Sequence, residues 1–202
     1  MQVAVLGASG RAGSEITKEL VARGHQVVGI ARKPEAIAVM DGVVAKGVDA
    51  SDPAALADAI KGSDAVISAL QFDIPAETLL SALKQAKVER LLVTGGAASL
   101  EYEPGKKLID SPEFPVDWKP AAMKAVNFLK DLRSENEINW TFFSPAMIIF
   151  EGPRLGHYRA GGDQLVTDEN GESKISFADY AIAMVDELEQ GAHSRARFTA
   201  AY

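Results

Sequence analysis

Through its first ninety-odd residues the chain alternates short, almost wholly apolar runs with helix-length amphipathic stretches, and few architectures accommodate that rhythm. The candidate strands are Gln2 to Leu6, Gln26 to Ala31, Val43 to Gly47, Ala65 to Leu70 and Arg90 to Thr94. They are nearly all apolar instead of alternating, which suits strands covered by helices on both faces. Between them lie candidate helices, one from Arg11 to Arg23 with Ile16 and Leu20 four apart, another from Ala76 to Lys87 with Leu79, Leu80 and Leu83 on one face. Ser51, Asp52 and Pro53 form a start signal for a short helix carrying Leu56 and Ile60, because a side-chain oxygen caps free amides and proline suits the first turn. The expectation is an α/β fold with a doubly wound parallel sheet flanked by helices.

After Gly95 the rhythm breaks into a loop of about two dozen residues through Tyr102, Pro104, Gly105, Pro112, Pro115 and Trp118, a length that is often functional. A helix from Ala121 to Ser134 follows, then a sixth strand from Asn139 to Ser144, then a second glycine-rich loop from Gly152 to Gly162. The remainder reads as two short strands around the turn Asp168-Glu169-Asn170-Gly171, a helix opened by Ser176 and Asp179, and a last strand from Arg197 to Ala201. With 202 residues and no composition shift to mark a linker, residues 1–202 read as one domain, of which about residues 150–202 shape a small substrate region.

Composition then excludes several roles. Twenty-one Lys and Arg against 28 Asp and Glu leave a net charge of −7, which argues against broad docking on nucleic acid or on a membrane surface. Without cysteine there is no disulfide framework, thiol nucleophile or thiolate metal site. His25, His157 and His193 lie far apart and show no metal-ligand spacing, so no metal is expected. The start MQVAVLGASG lacks the features of a signal peptide, so a soluble cytoplasmic protein acting on a small molecule is expected.

Gly7-Ala-Ser9-Gly10-Arg11-Ala12-Gly13 leaves the first strand and opens the first helix. Glycines there permit a tight turn, let backbone amides approach a pyrophosphate and bring helix and strand together, while the helix dipole favours the anion. A dinucleotide is therefore the expected ligand. At the end of the second strand an acidic residue would take a ribose 2′-hydroxyl, whereas a cation takes a 2′-phosphate. Here Arg32 and Lys33 stand, with Arg11 near enough in sequence logic to join them, so NADP is preferred; Glu35 beyond Pro34 leaves NAD open. Asp49 and Ala50 would border the adenine, although Asp49 can equally support the following helix cap. Ala69 and Leu70 would line the ribose side, and Thr94, Gly95 and Gly96 the nicotinamide side.

The G-x-x-G-x-x-G spacing resembles the extended and atypical short-chain dehydrogenase/reductase superfamily, whose reactions mostly rely on a tyrosine and a lysine four residues on. The spacing recurs here only at Tyr102 and Lys106, where Pro104 and Gly105 break any helix between them. Lys124 sits on the helix where the lysine belongs, but four residues before it stands Pro120. It either bonds the nicotinamide ribose or is solvated, and no catalytic residue is assigned.

The C-terminal half, with Trp140 to Ala146, Gly156-His157-Tyr158-Arg159, Gly161-Gly162-Asp163, Ile175 to Ala181 and Arg197-Phe198-Thr199, is similar to the NADH-flavin reductase family of small NAD(P)H-binding atypical proteins of this superfamily. The resemblance covers essentially the whole chain. It implies a Rossmann-like fold of six or more strands, with cofactor on the glycine loop and Ser144, Pro145 and Ala146 beside the nicotinamide. It also implies hydride transfer to a flavin that is substrate rather than prosthetic group. Flavin reduction needs stacking and alignment more than a protein acid, because the ring takes its proton from water. Phe72, Phe114, Trp118, His157 and Tyr158, on loops near strand ends, are candidate acceptor contacts. Two other readings stay open: a non-catalytic, dinucleotide-sensing regulator resembling NmrA-like proteins, and a nucleotide-sugar epimerase or dehydratase, for which the chain is short.

Overall fold

The computed structural model describes residues 1–202. Twelve strands and five helices follow one another along the chain. The first half gives β1 (Gln2–Leu6), α1 (Arg11–Ala22), β2 (Gln26–Ala31), β3 (Val43–Gly47), α2 (Pro53–Ile60), β4 (Ala65–Ser68), α3 (Ala76–Ala86) and β5 (Arg90–Thr94). The second half adds β6 (Glu101–Glu103), β7 (Lys106–Lys107), α4 (Lys119–Leu132), β8 (Asn139–Ser144), β9 (Ile148–Phe150), β10 (Arg159–Gly161), β11 (Lys174–Ser176), α5 (Phe177–Gln190) and β12 (Ala196–Ala201).

Eight of the strands form one sheet in the order β10-β12-β8-β5-β4-β1-β2-β3. All neighbours are parallel except β10, which runs antiparallel to β12. This is a Rossmann-like arrangement of the six or more strands that the resemblance implies, and the last strand read from the sequence, Arg197 to Ala201, joins it as β12. Alternate residues of each central strand serve different layers, as the pleat requires. Val3 and Val5 of β1 pack with Ile16 and Leu20 of α1 and with Met184 and Val185 of α5. Ala4 and Leu6 face the other way, toward Leu56 and Ile60 of α2, Leu83 of α3 and Leu129 of α4. Because both faces are covered, β1, β2 and β4 carry only Gln2, Gln26 and Ser68 as polar residues. The sheet grows outward from β1 in both directions, so the crossover direction reverses between β1 and β4 and a crevice opens above the strand ends there.

Several local expectations are met and others are not. Asp52 caps α2, its Oδ1 accepting from Ala54 N at 3.0 Å and Ala55 N at 3.1 Å. Lys87 takes the left-handed conformation that ends α3, at φ +59°. β4 stops at Ser68 instead of Leu70, and α4 starts at Lys119, earlier than the expected Ala121. The turn at Asp168 to Gly171 forms, with Gly171 N donating to Asp168 O at 3.0 Å, but it joins no hairpin. β11 instead pairs in parallel with β9, twenty-odd residues upstream, so a nonlocal partner takes the edge that a hairpin would have used. No helix is long and apolar enough to cross a membrane.

Candidate functional site

The glycine loop is built by steric necessity. Gly7 has φ +75°, and a side chain there would bring its Cβ within 2.8 Å of the Ala69 carbonyl oxygen. Gly13 is tighter still, because an added Cβ would lie 2.1 Å from the Gly7 carbonyl oxygen. The loop is closed by Gly7 N donating to Ile30 O at 2.8 Å and Gly10 N donating to Gly7 O at 2.9 Å. No side chain caps α1, and its first turn has no acidic residue, whereas α2 is capped by Asp52 and α5 by Ser176. The leading amides of α1 and the positive end of its dipole therefore face the crevice, with Ser9, Gly10 and Arg11 exposed around them. That arrangement fits a pyrophosphate, which is bulky, anionic and hydrogen-bonded by backbone amides.

Next to the loop lies a cavity of about 440 Å³. Its walls are Arg11 and Ala12 of α1, the segment Ala69, Leu70, Gln71, Phe72 and Asp73 after β4, and Thr94 and Gly95 at the end of β5. Ala121 and Lys124 of α4, Pro145, Ile149 of β9, and Phe177 and Tyr180 of α5 complete it. Nine residues singled out in the sequence thus come together here: Arg11, Ala12, Ala69, Leu70, Phe72, Thr94, Gly95, Lys124 and Pro145. The early end of β4 is what frees Ala69 and Leu70 to turn into the wall. Phe72 is fixed from behind, its ring edge-on to Phe128 at 5.1 Å and tilted toward Phe142 at 6.0 Å. Gly95 and Gly96 have a packing reason of their own, since added Cβ atoms would meet the Phe142 ring at 2.3 Å and Ala125 at 2.9 Å.

Charged and polar groups in the cavity are few. The Lys124 ammonium pairs with the Asp73 carboxylate. The Arg11 guanidinium lies over the Phe177 ring, 5.3 Å from its centroid. Tyr180 donates its hydroxyl to the Phe143 carbonyl at 2.9 Å and stacks on the Phe143 ring at 4.0 Å. It is 1% exposed, and burial holds its hydroxyl well above the ordinary phenol range.

Other expected site residues are placed elsewhere. Ser144 is not in the cavity wall: it is fully buried, and its hydroxyl accepts from the Arg197 guanidinium at 3.5 Å, in a cluster with Ser99 and Asp163. Arg32 and Lys33 are exposed at the end of β2. Asp49 stands nearby, its Oδ1 accepting from Ser51 N at 3.0 Å and Ser51 Oγ at 2.8 Å. Those bonds, and Arg32 more weakly, lower its carboxyl pKa despite slight desolvation. Ala50 is buried behind it. Arg11 does not join Arg32 and Lys33, because it turns across the crevice onto Phe177.

The second glycine-rich loop also leaves the crevice. Tyr158 donates its hydroxyl to Asp186 of α5 at 2.6 Å, and Arg154 pairs with Glu19 of α1 at 3.0 Å. His157 is exposed, with its ring 5.8 Å from that of Tyr202. The loop straps α1 to α5 and gives no wall to the cavity. Trp118 is 60% exposed and, with the half-buried Phe114, also lies outside the wall. Tyr102 and Lys106 lie on the small hairpin β6–β7, where Lys106 pairs with Glu103 at 2.7 Å.

Sequence reasoning missed Gln71, Asp73, Ala121, Ile149, Phe177 and Tyr180. For Phe177 a signal existed. Ser176 accepts from Asp179 N at 3.0 Å as the cap of α5, and a cap read from sequence puts the next residue on the first turn, level with the strand ends.

Comparison with known proteins agrees with this geometry. The model of a family described as NAD(P)H-binding matches residues 7–190. The uncharacterized protein YwnB of Bacillus subtilis (strain 168) is 42% identical, covering 98% of this chain and 97% of YwnB. A crystal structure from Bacteroides thetaiotaomicron, provisionally named an epimerase, superposes with a TM-score of 0.94 at 39% identity, covering 100% of this chain and 96% of that one. A Streptococcus pneumoniae TIGR4 structure, provisionally named an NADH-flavin reductase, gives 0.88 at 35% identity, covering 100% and 99%.

Proposed function

Because this chain belongs to the NAD(P)H-binding family, among the atypical short-chain dehydrogenases/reductases, we propose that it is an NADPH-dependent reductase whose acceptor is a flavin or a similar planar aromatic molecule. When bound, the nicotinamide supplies the hydride. The amides of Arg11, Ala12 and Gly13 would hold the pyrophosphate, Arg32 and Lys33 the 2′-phosphate, and Thr94, Gly95 and Pro145 would border the nicotinamide.

One observation carries the reading: the cavity is walled by Leu70, Phe72, Pro145, Ile149 and Phe177, while its one tyrosine, Tyr180, has committed its hydroxyl to the Phe143 carbonyl. A carbonyl reductase needs a positioned acid at the developing alkoxide. An isoalloxazine ring needs a flat apolar slot and correct alignment, and takes its proton from water. The same lack of a free tyrosine beside Lys124 disfavours epimerase chemistry of the kind this superfamily runs. The name of the Streptococcus pneumoniae relative supports the flavin acceptor.

The test is single-turnover oxidation of NADPH, followed at its absorbance band, with FMN, riboflavin and small quinones. Stimulation by the protein over the uncatalysed rate is expected with at least one flavin. Tight NADPH binding with no stimulation by any acceptor would remove the reductase reading and favour a dinucleotide-sensing regulator.

A further inference from the structure

We propose that Arg11 is an acceptor-side anion anchor, which makes the site selective for planar acceptors carrying a phosphate or carboxylate over neutral ones. The inference rests on the reductase reading above and adds to it the charge of the acceptor.

Position argues first. Arg11 belongs to the first turn of α1, beside the β1–β2 side where Arg32 stands, yet its guanidinium is turned to the opposite side, over Phe177 of α5. It shares the cavity wall with Thr94 and Gly95 of β5 and with Pro145 after β8. β5 lies three strands from β2 in the sheet, about 14 Å at roughly 4.8 Å per strand. The Arg11 guanidinium, resting over Phe177 in a cavity that reaches to β5, is thus turned away from Arg32, where a 2′-phosphate would be held.

Charge balance argues second. The cavity wall holds two cations, Arg11 and Lys124, and one carboxylate, Asp73, which Lys124 already engages. Arg11 has no carboxylate partner; it rests on an aromatic face, which leaves its fork of donors free for an anion. With Lys124 matched by Asp73, the wall keeps one guanidinium without a carboxylate partner, beside Leu70, Phe72, Ile149 and Phe177, and that favours a ligand that brings the missing negative charge. A phosphate group on a flavin side chain meets that need, and riboflavin does not.

The test is equilibrium titration by flavin fluorescence, on the full chain saturated with NADP⁺, using FMN, riboflavin and a carboxymethyl flavin. FMN is expected to bind about tenfold more tightly than riboflavin, the carboxylate flavin to fall between them, and added salt to narrow the gap. Arg11→Met keeps an apolar stem over Phe177 and should bring the FMN and riboflavin constants together, while Arg11→Lys restores part of the difference. Equal affinity of the unaltered protein for FMN and riboflavin overturns this inference while leaving the reductase reading standing. Binding of no flavin at all overturns this inference together with the flavin as acceptor, while stimulation of NADPH oxidation by a quinone would keep the reductase reading. If Arg11→Met weakens NADPH binding severalfold and leaves the FMN-to-riboflavin ratio intact, Arg11 serves the dinucleotide and the inference fails.

Discussion

Gly13 shows how a single residue type can be dictated by one contact. A methyl group there would sit 2.1 Å from the Gly7 carbonyl oxygen, so either α1 moves off the loop or the loop opens, and both disturb the amides that face the crevice. Gly13→Ala is therefore expected to cost about 1–3 kcal/mol of stability by overpacking and to weaken NADPH binding at least tenfold. Urea unfolding and a fluorescence titration measure the two effects, and unchanged affinity would mean that the loop does not hold the dinucleotide. At this scale the sequence was a good guide to which residue types matter and a poor guide to where long side chains point. Arg11 was expected beside Arg32 and instead covers Phe177; Ser144 was expected to face the crevice and is turned inward to Arg197. A glycine's role follows from backbone sterics that the motif encodes, but a rotamer is chosen among neighbours from distant parts of the chain.

Among the elements, α5 depends most on one side chain. Asp179 is wholly buried on its first turn and accepts from Leu155 N at 3.0 Å, Gly156 N at 2.8 Å and the Tyr202 hydroxyl at 2.6 Å. It joins the cap of α5, the strap of residues 152–162 and the C-terminal residue. Burial by itself would raise its carboxyl; the bonds from Tyr202, Gly156, Leu155 and Ser176 outweigh that and hold it below the ordinary 3.8. A group whose folded value is depressed stabilises fully above its unfolded value, and that contribution is lost as pH falls through the folded one. Acid unfolding should accordingly show a loss below about pH 4 that Asp179→Asn lacks. The same variant should lose about 1–3 kcal/mol at neutral pH, since an amide cannot satisfy the donors it faces. An unchanged urea midpoint would show that the strap does not depend on Asp179. The capping signal of α5 was legible because a cap is local. The pairing of β11 with β9 was not, because strand partners across a gap of more than twenty residues leave no mark on either segment.

For the whole molecule the governing feature is the reversal of crossover direction at β1, which sets a crevice above the strand ends between two separate cores. A ligand bound there stabilises the native state by mass action. At one hundred times its Kd, NADPH should contribute about 2.7 kcal/mol, or a rise in Tm of roughly 5–10 °C for a chain of this size. NADH at the same concentration should give less, and Arg32→Ala should erase most of the difference by weakening NADPH. Equal shifts for both dinucleotides, or none lost on Arg32→Ala, would remove the preference for NADP. The sheet itself was written in the sequence, because apolar strands, amphipathic helices and caps are local patterns, and their alternation leaves a parallel doubly wound sheet as the way to bury both faces. The glycine loop was equally legible, since its steric demands act between near neighbours. Only the tertiary structure decided that the second glycine loop straps α1 to α5, that Tyr180 is spent on a backbone carbonyl, and that Phe177 lies beneath Arg11. Each of those outcomes depends on which distant segments arrive at the same place, and that is fixed by packing of the folded chain as a whole.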